Sequence, residues 1–193
     1  MNLSSSQTAE NLARAYALEC ETRARYTFFA NRLHSMDLIV LERLFRDIAD
    51  QELAHAEQFL LALSPMEGAP VTASVETAAA LPDQPLPMLR AAQALEFEEY
   101  DRQYSFFAQA AAQEGFGAEA SLFTRVAAVE KLHHDRIGRT ADLLEQGRLF
   151  TDDAPVSWLC LHCGHVEAAP AAPGACPICA RPQGYFLRSG GAR

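Results

Sequence analysis

No proline occurs before Pro65 and no glycine before Gly68 in this 193-residue chain, so nothing in its first third breaks a helix. Long apolar runs are missing too. The longest, Phe59–Leu63, is far short of the ~20 residues that span a bilayer, so no membrane helix is expected. The N-terminus, MNLSSSQTAENL, has no basic start followed by an apolar segment. A secretory leader is therefore not expected, and a cytoplasmic location is. Basic residues are scarce: 16 Lys and Arg face 25 Asp and Glu, for a formal charge of −9. A nucleic-acid partner would need a basic footprint to displace counterions, and none is present.

What the first 147 residues do contain is alanine and straight-chain residues, which lose little on entering a helix. Two helices, about Ser6–His34 and Asp37–Leu63, are separated by a turn short enough to make them antiparallel. Residues 64–87 hold five prolines and a glycine, a long crossover with room for a short helix over Ser74–Ala80. A third helix opens at Pro87 and ends near Glu114, and a fourth runs from about Ala118 to Gln146, stopped by Gly147. Two helical hairpins joined by one long crossover make a mainly α, ferritin-like four-helix bundle. Residues 148–193 differ sharply, with five prolines, five glycines and four paired cysteines. The expected domains are therefore 1–147 and 148–193.

The hairpins repeat at an offset of 78. Tyr26-Thr-Phe-Phe-Ala matches Tyr104-Ser-Phe-Phe-Ala, and Glu52-x-x-His55 matches Glu130-x-x-His133. Ala17-Leu-Glu19 matches Ala94-Leu-Glu96 at 77, a one-residue slip that a helix bulge would produce. One Glu-x-x-His is weak evidence, since helix surfaces are rich in Glu. Two in register within a repeat are stronger, because each puts both side chains on one helical face.

Glu19, Glu96 and Glu99 sit among apolar residues on the other helix of each hairpin. Glu19 and Glu52 lie 17 and 16 residues either side of Met36, and Glu99 and Glu130 lie 17 and 14 either side of Phe116. Antiparallel packing brings these groups roughly level. Glu from two helices with Glu-x-x-His from two others is the pattern of dinuclear carboxylate metal sites, and oxygen and imidazole donors suit iron or manganese. The opposing reading, glutamates solvated and paired with Arg23, Arg25 or Arg102, fits Glu10, Glu21 and Glu98. Tyr26 and Tyr104 lie one to two turns from the candidate ligands and are candidates to line the site.

The four cysteines form Cys160-x-x-Cys163 and Cys176-x-x-Cys179, twelve residues apart. Four thiolates so spaced make a tetrahedral site for zinc or a single iron. Cys20 stands alone and reads as filler, while His162 and His165 are surplus to a four-cysteine site.

Taken together, Glu19, Tyr26, Glu52-x-x-His55, Glu96-x-x-Glu99, Glu130-x-x-His133 and the two cysteine knuckles resemble the rubrerythrin family over nearly the whole chain. The resemblance implies a diiron bundle held by Glu19, Glu52, His55, Glu96, Glu99, Glu130 and His133, followed by a rubredoxin-like iron site. It also implies a non-haem peroxidase that reduces hydrogen peroxide to water in oxidative stress defence. Electrons would come from NAD(P)H through a separate reductase or a rubredoxin, in a homodimer, with Glu99 and His55 exchanging at one iron. The family commonly has Gly where this chain has Leu18 and Leu95, which narrows access to the site. Two competing readings are a ferroxidase or iron-handling protein, and a scaffold with zinc at the cysteines.

Overall fold

A computed structural model describes residues 2–189; residues 1 and 190–193, the outer ends of the two expected domains, lie outside the described residues. Helices α1 (Gln7–Ser35) and α2 (Ile39–Ala62) form the first hairpin. Helix α3 (Pro85–Phe97), a π-helical stretch (Glu98–Gln103) and α4 (Tyr104–Glu114) run on as one rod, which packs against α5 (Gly117–Glu145). This is the expected ferritin-like bundle with one long crossover. Behind it follow strands β1 (Thr151–Cys160), β2 (Val166–Ala171) and β3 (Phe186–Ser189), an antiparallel sheet in the order β2-β1-β3.

Local chemistry sets the helix ends. The Ser6 hydroxyl accepts from the Ala9 N–H at 3.1 Å and caps α1. The rod starts at Pro85, two residues earlier than expected. Both prolines fall in the first turn, where an N–H has no acceptor within the helix. No helix forms over Ser74–Ala80. The carbonyls of Ala78 and Ala80 each accept from the Arg25 guanidinium at 2.7 Å, and Glu21 pairs with the same group at 2.5 Å. Arg25 thus straps the crossover to α1 in its non-helical course.

Two apolar clusters fill the bundle. One contains Tyr26, Phe29, Leu33, Phe45, Ile48, Leu89 and Ile137, and the other Leu12, Phe59, Tyr104, Phe107, Phe123 and Val126. The acidic residues of the repeat fall in the layer between them. A third cluster joins Ile39 of α2 to Trp158, Cys160, Cys176, Tyr185 and Phe186, so the cysteine module seats on the α1–α2 turn. The approach there is close: a Cβ on Gly184 would run into the Asp37 carbonyl.

The N-terminus of α1 is held by the last residue of α4. Glu114 accepts from the Gln7 and Thr8 N–H groups at 2.9 and 2.8 Å, and from the Thr8 hydroxyl at 2.6 Å. The Thr8 hydroxyl, with the two N–H groups behind it, holds the Glu114 carboxyl below its usual range. A depressed carboxyl stabilises the fold above its unfolded pKa, and that contribution is lost as pH falls. Glu114→Gln is expected to cost about 1 kcal/mol at pH 7 by denaturant unfolding. The gap from the native protein should close as pH drops below about 4.

Candidate metal centre

Helical spacing explains how the side chains converge. Glu52 and His55 lie one turn apart on α2, as Glu130 and His133 do on α5. The two imidazole rings stack with centroids 5.9 Å apart, each with Nδ1 turned on the carboxylates. His55 Nδ1 lies 2.8 Å from Glu130 Oε1, 3.2 Å from Glu52 Oε2 and 3.5 Å from Glu19 Oε2. His133 Nδ1 lies 2.8 Å from Glu130 Oε2, 3.2 Å from Glu52 Oε1 and 3.6 Å from Glu96 Oε2. Glu52 and Glu130 therefore serve both halves with opposite oxygens, while Glu19 belongs to one half and Glu96 to the other. In each half the donor atoms lie within 4.8 Å of one another.

The second rod carries one more residue than α1 over the matching span. Glu19 and Tyr26 are seven apart, Glu96 and Tyr104 eight, and the π-helical stretch absorbs the difference. It also turns Glu99 inward, where it is 3% exposed. The repeat mate of Glu99 at the 77 offset is Thr22, and the two touch: the Thr22 hydroxyl donates to Glu99 at 3.1 Å. The pseudo-twofold axis passes between them. At the borders of the layer, the fully buried Tyr26 donates to Glu96 at 2.5 Å and the equally buried Tyr104 donates to Glu19. The tyrosines are thus second neighbours to the cluster, each reaching across to the other hairpin.

The electrostatics are those of charge without water. Burial pushes the Glu19, Glu96 and Glu99 carboxyls well up, and the nearest carboxylates add to it: Glu130 on Glu19, Glu52 on Glu96, Glu96 on Glu99. Burial acts the same way on Glu52, but hydrogen bonds from His133 and His55 outweigh it and bring Glu52 down to about 2. Burial alone would lower His133, yet its bonds to Glu130, Glu52 and Glu96 push it up to about 12; the same balance raises His55. Protons therefore do part of what cations would do.

The residues fit a pair of cations. Glu19 Oε2, Glu52 Oε1, Glu96 Oε2, Glu99 Oε2 and Glu130 Oε1 are buried and accept no well-aligned hydrogen bond among the described residues, although an imidazole Nδ1 lies near all but the Glu99 oxygen. Orphaned buried acceptors of this kind are costly unless a cation meets them. The surface acids behave differently: Glu21 pairs with Arg25 and Glu98 with Arg102, outside the cluster. Two neighbours escaped the sequence reasoning. Thr22 was detectable only through the 77 offset, and Gln51, whose Oε1 lies 2.8 Å from His133 Nε2, only through its place beside Glu52. His134, next to His133, is half-buried with Nδ1 2.9 Å from the Gln93 carbonyl.

The cysteines form the second site. Cys160 Sγ lies 3.7 Å from Cys179 Sγ and Cys163 Sγ lies 3.6 Å from Cys176 Sγ, far beyond disulfide length. A tetrahedron with metal–sulfur distances of about 2.3 Å has edges of about 3.8 Å, so four thiolates here fit one ion. Each knuckle closes on a left-handed residue, Gly164 at φ +78° and Ala180 at φ +58°. Burial would raise the Cys176 thiol, but the Cys179 and Ile178 N–H groups bring it down to about 6. His162 and His165 stay outside this group, and Cys20 is unpaired and half-buried.

Comparison with known proteins agrees with both sites. Residues 10–141 match the rubrerythrin family model and residues 158–187 that of the rubrerythrin rubredoxin-like domain. Rubrerythrin of Clostridium perfringens is 33% identical over 186 residues, 96% of this chain and 95% of that one. Rubrerythrin-1 of Clostridium acetobutylicum is 35% identical over 189 residues, with the same coverage. Among solved structures, fully reduced nigerythrin superposes with a TM-score of 0.64 at 27% identity, covering 96% of this chain and 90% of that one. A Desulfovibrio desulfuricans bacterioferritin reaches 0.68 at 22% identity over 74% of this chain and 82% of its own, a likeness of fold. A diiron carboxylate and histidine site in the bundle and a four-cysteine rubredoxin-like site fit these families. No helix among the described residues is long and apolar enough to cross a membrane.

Removing divalent cations with a chelator is expected to lower the melting temperature, and returning Fe(II) without oxygen to restore it. An unchanged melting curve would count against buried cation sites. Tyr26→Phe and Tyr104→Phe each strip a donor from a buried carboxyl. Each should cost the metal-free protein about 1–3 kcal/mol in denaturant unfolding.

Proposed function

The chain belongs to the rubrerythrin family, and on that footing we propose that it is a non-haem diiron peroxidase, reducing hydrogen peroxide to water with electrons relayed through the four-cysteine iron. The observation that carries this reading is the pair of carboxylate–imidazole half-sites sharing Glu52 and Glu130, in one chain with a four-thiolate site. We assign residues 1–147 to the diiron bundle and 148–193 to the relay module. In the bundle, Glu19, Glu52, His55, Glu96, Glu99, Glu130 and His133 would hold two irons; in the module, Cys160, Cys163, Cys176 and Cys179 would hold one. Held in the bundle, two irons would supply two electrons together, the number that peroxide needs, with two protons, to become two waters.

The chain's own residues prepare that reaction. The apolar clusters above and below the acidic layer keep bulk water from it. Tyr26 and Tyr104 fix the carboxyls of Glu96 and Glu19, and Thr22 fixes that of Glu99. Leu18, one of the two leucines expected to narrow access, lines a cavity of about 430 Å³ with Arg14, Gln103 and Phe107. None of the seven candidate ligands lines that cavity, and Leu18 stands between it and Glu19, the next residue along α1.

Distance argues for two copies of the chain. The cysteine module sits against Ile39, while Glu52 lies thirteen residues along the same helix, about 20 Å at 1.5 Å per residue. A homodimer that brings one copy's module to the other's bundle shortens that path. The module in turn would take its electrons from an NAD(P)H-linked reductase or a rubredoxin in the cytoplasm.

The test is anaerobic reduction of the iron-loaded protein followed by stopped-flow mixing with peroxide or with air-saturated buffer. Peroxide is expected to reoxidise the diferrous protein faster, with the four-cysteine iron following. Faster reoxidation by air, with iron taken up beyond three per chain, would replace this reading with the ferroxidase one.

A further inference from the structure

The repeat makes the two halves of the cluster nearly alike, and besides the pairing of Glu99 with Thr22 a second polar neighbour, Gln51, goes unduplicated. His133 turns Nδ1 on Glu52, Glu96 and Glu130, and its outward Nε2 lies 2.8 Å from Gln51 Oε1. His55 turns Nδ1 on Glu19, Glu52 and Glu130 in the same manner, but its Nε2 has no hydrogen-bond partner among the described residues. The position that repeats Gln51 is 51 + 78 = 129, and it holds Val129, whose side chain cannot accept a proton. Burial follows the same division. The His133 side chain is 4% exposed and that of His55 13%.

We propose that Gln51 is a positioning residue that accepts the outer N–H of His133, holding the ring with Nδ1 toward the carboxylates where a cation would sit, and so makes the His133 half the tighter of the two cation positions. An imidazole can give Nδ1 to a cation while donating from Nε2 only in one tautomer and one ring orientation. An acceptor on Nε2 sets the orientation before the cation arrives, and it holds the proton on Nε2 when the cation displaces the one on Nδ1. His55 lacks that acceptor, so its half must order the ring as the cation binds, at a cost in affinity. The Glu52–Glu96–Glu130–His133 position therefore fills first and the Glu19–Glu52–His55–Glu130 position second. This rests on the reading of the cluster as a dinuclear centre, and not on which oxidant the centre reduces.

Gln51 is itself solvent-exposed, so replacing it should leave the metal-free melting temperature close to that of the native protein. Full-length protein retaining its four-cysteine iron, with the bundle stripped by chelation, is titrated with Mn(II) and followed by electron paramagnetic resonance. One equivalent in the native protein should give an isolated-ion signal, which converts to a spin-coupled signal with the second equivalent. Gln51→Leu should weaken the first binding step by about 10–100-fold, so that coupled pairs form at the expense of isolated ions. Gln51→Glu, which can only accept at that place, should restore the native order. Val129→Gln, which offers His55 the acceptor it lacks, should draw the two affinities together. Native titration curves in both Gln51→Leu and Val129→Gln would overturn the proposal, as would failure of Gln51→Glu to rescue. Native protein that takes up no Mn(II) would instead overturn the dinuclear reading beneath it.

Discussion

Five carboxyl groups share one layer of this bundle, with none more than 3% exposed. An ionised carboxylate taken out of water loses several kcal/mol of hydration, and close neighbours of like charge lose more. Nothing in an apolar helix core repays that. The layer is tolerable only with positive charge inside it, carried by protons on the imidazoles and carboxyls or by cations in their place. The arrangement around it follows from this demand. Aromatic clusters close both ends, tyrosine hydroxyls sit on the boundary to satisfy one oxygen of Glu19 and one of Glu96, and no arginine among the described residues pairs with the cluster. Arg25 and Arg102 pair with Glu21 and Glu98 at the periphery, leaving the interior charge for a ligand to balance.

Symmetry and its breaking divide the labour. Duplicated hairpins supply two equivalent sets of Glu, Glu-x-x-His and Tyr, a simple way to build a site for two like ions. One added residue in the second rod then disturbs the equivalence. The π-helical stretch carries Glu99 inward where the first hairpin has only Thr22, and the two mates meet on the axis. A π-helical turn leaves a poorer backbone ladder than an α-helical one and tends to persist where a site uses it. Here it adds a fifth carboxylate without displacing the other four.

Much of this was legible in residue order. The absence of early Gly and Pro, the doubled Glu-x-x-His and the slip from 78 to 77 led to the bundle, the cluster and the bulge, because each follows from fixed helical periodicity. The cysteine spacing was as informative, since a four-thiolate site has few geometric solutions. Less legible were features decided by contacts distant in sequence. Ser74–Ala80 has a composition that allows a helix, yet the segment is non-helical, with its Ala78 and Ala80 carbonyls tied to Arg25, some fifty residues earlier. Gln51 reads as an ordinary surface glutamine until α5 places an imidazole nitrogen against it. Composition and period describe a helix's own preferences; they do not say which neighbour arrives.

The seat of the cysteine module carries a consequence for recombination between relatives. Gly184 rests against the Asp37 carbonyl with no room for a methyl group, and Ile39 enters the module's own apolar cluster. A foreign four-cysteine domain spliced on after the bundle would keep its knuckles and its iron. With any larger residue at the place of Gly184 it would be lifted off the α1–α2 turn. In such a chimera each half would be sound and the pair disconnected, so compatibility between the halves lies in one missing side chain rather than in either metal site.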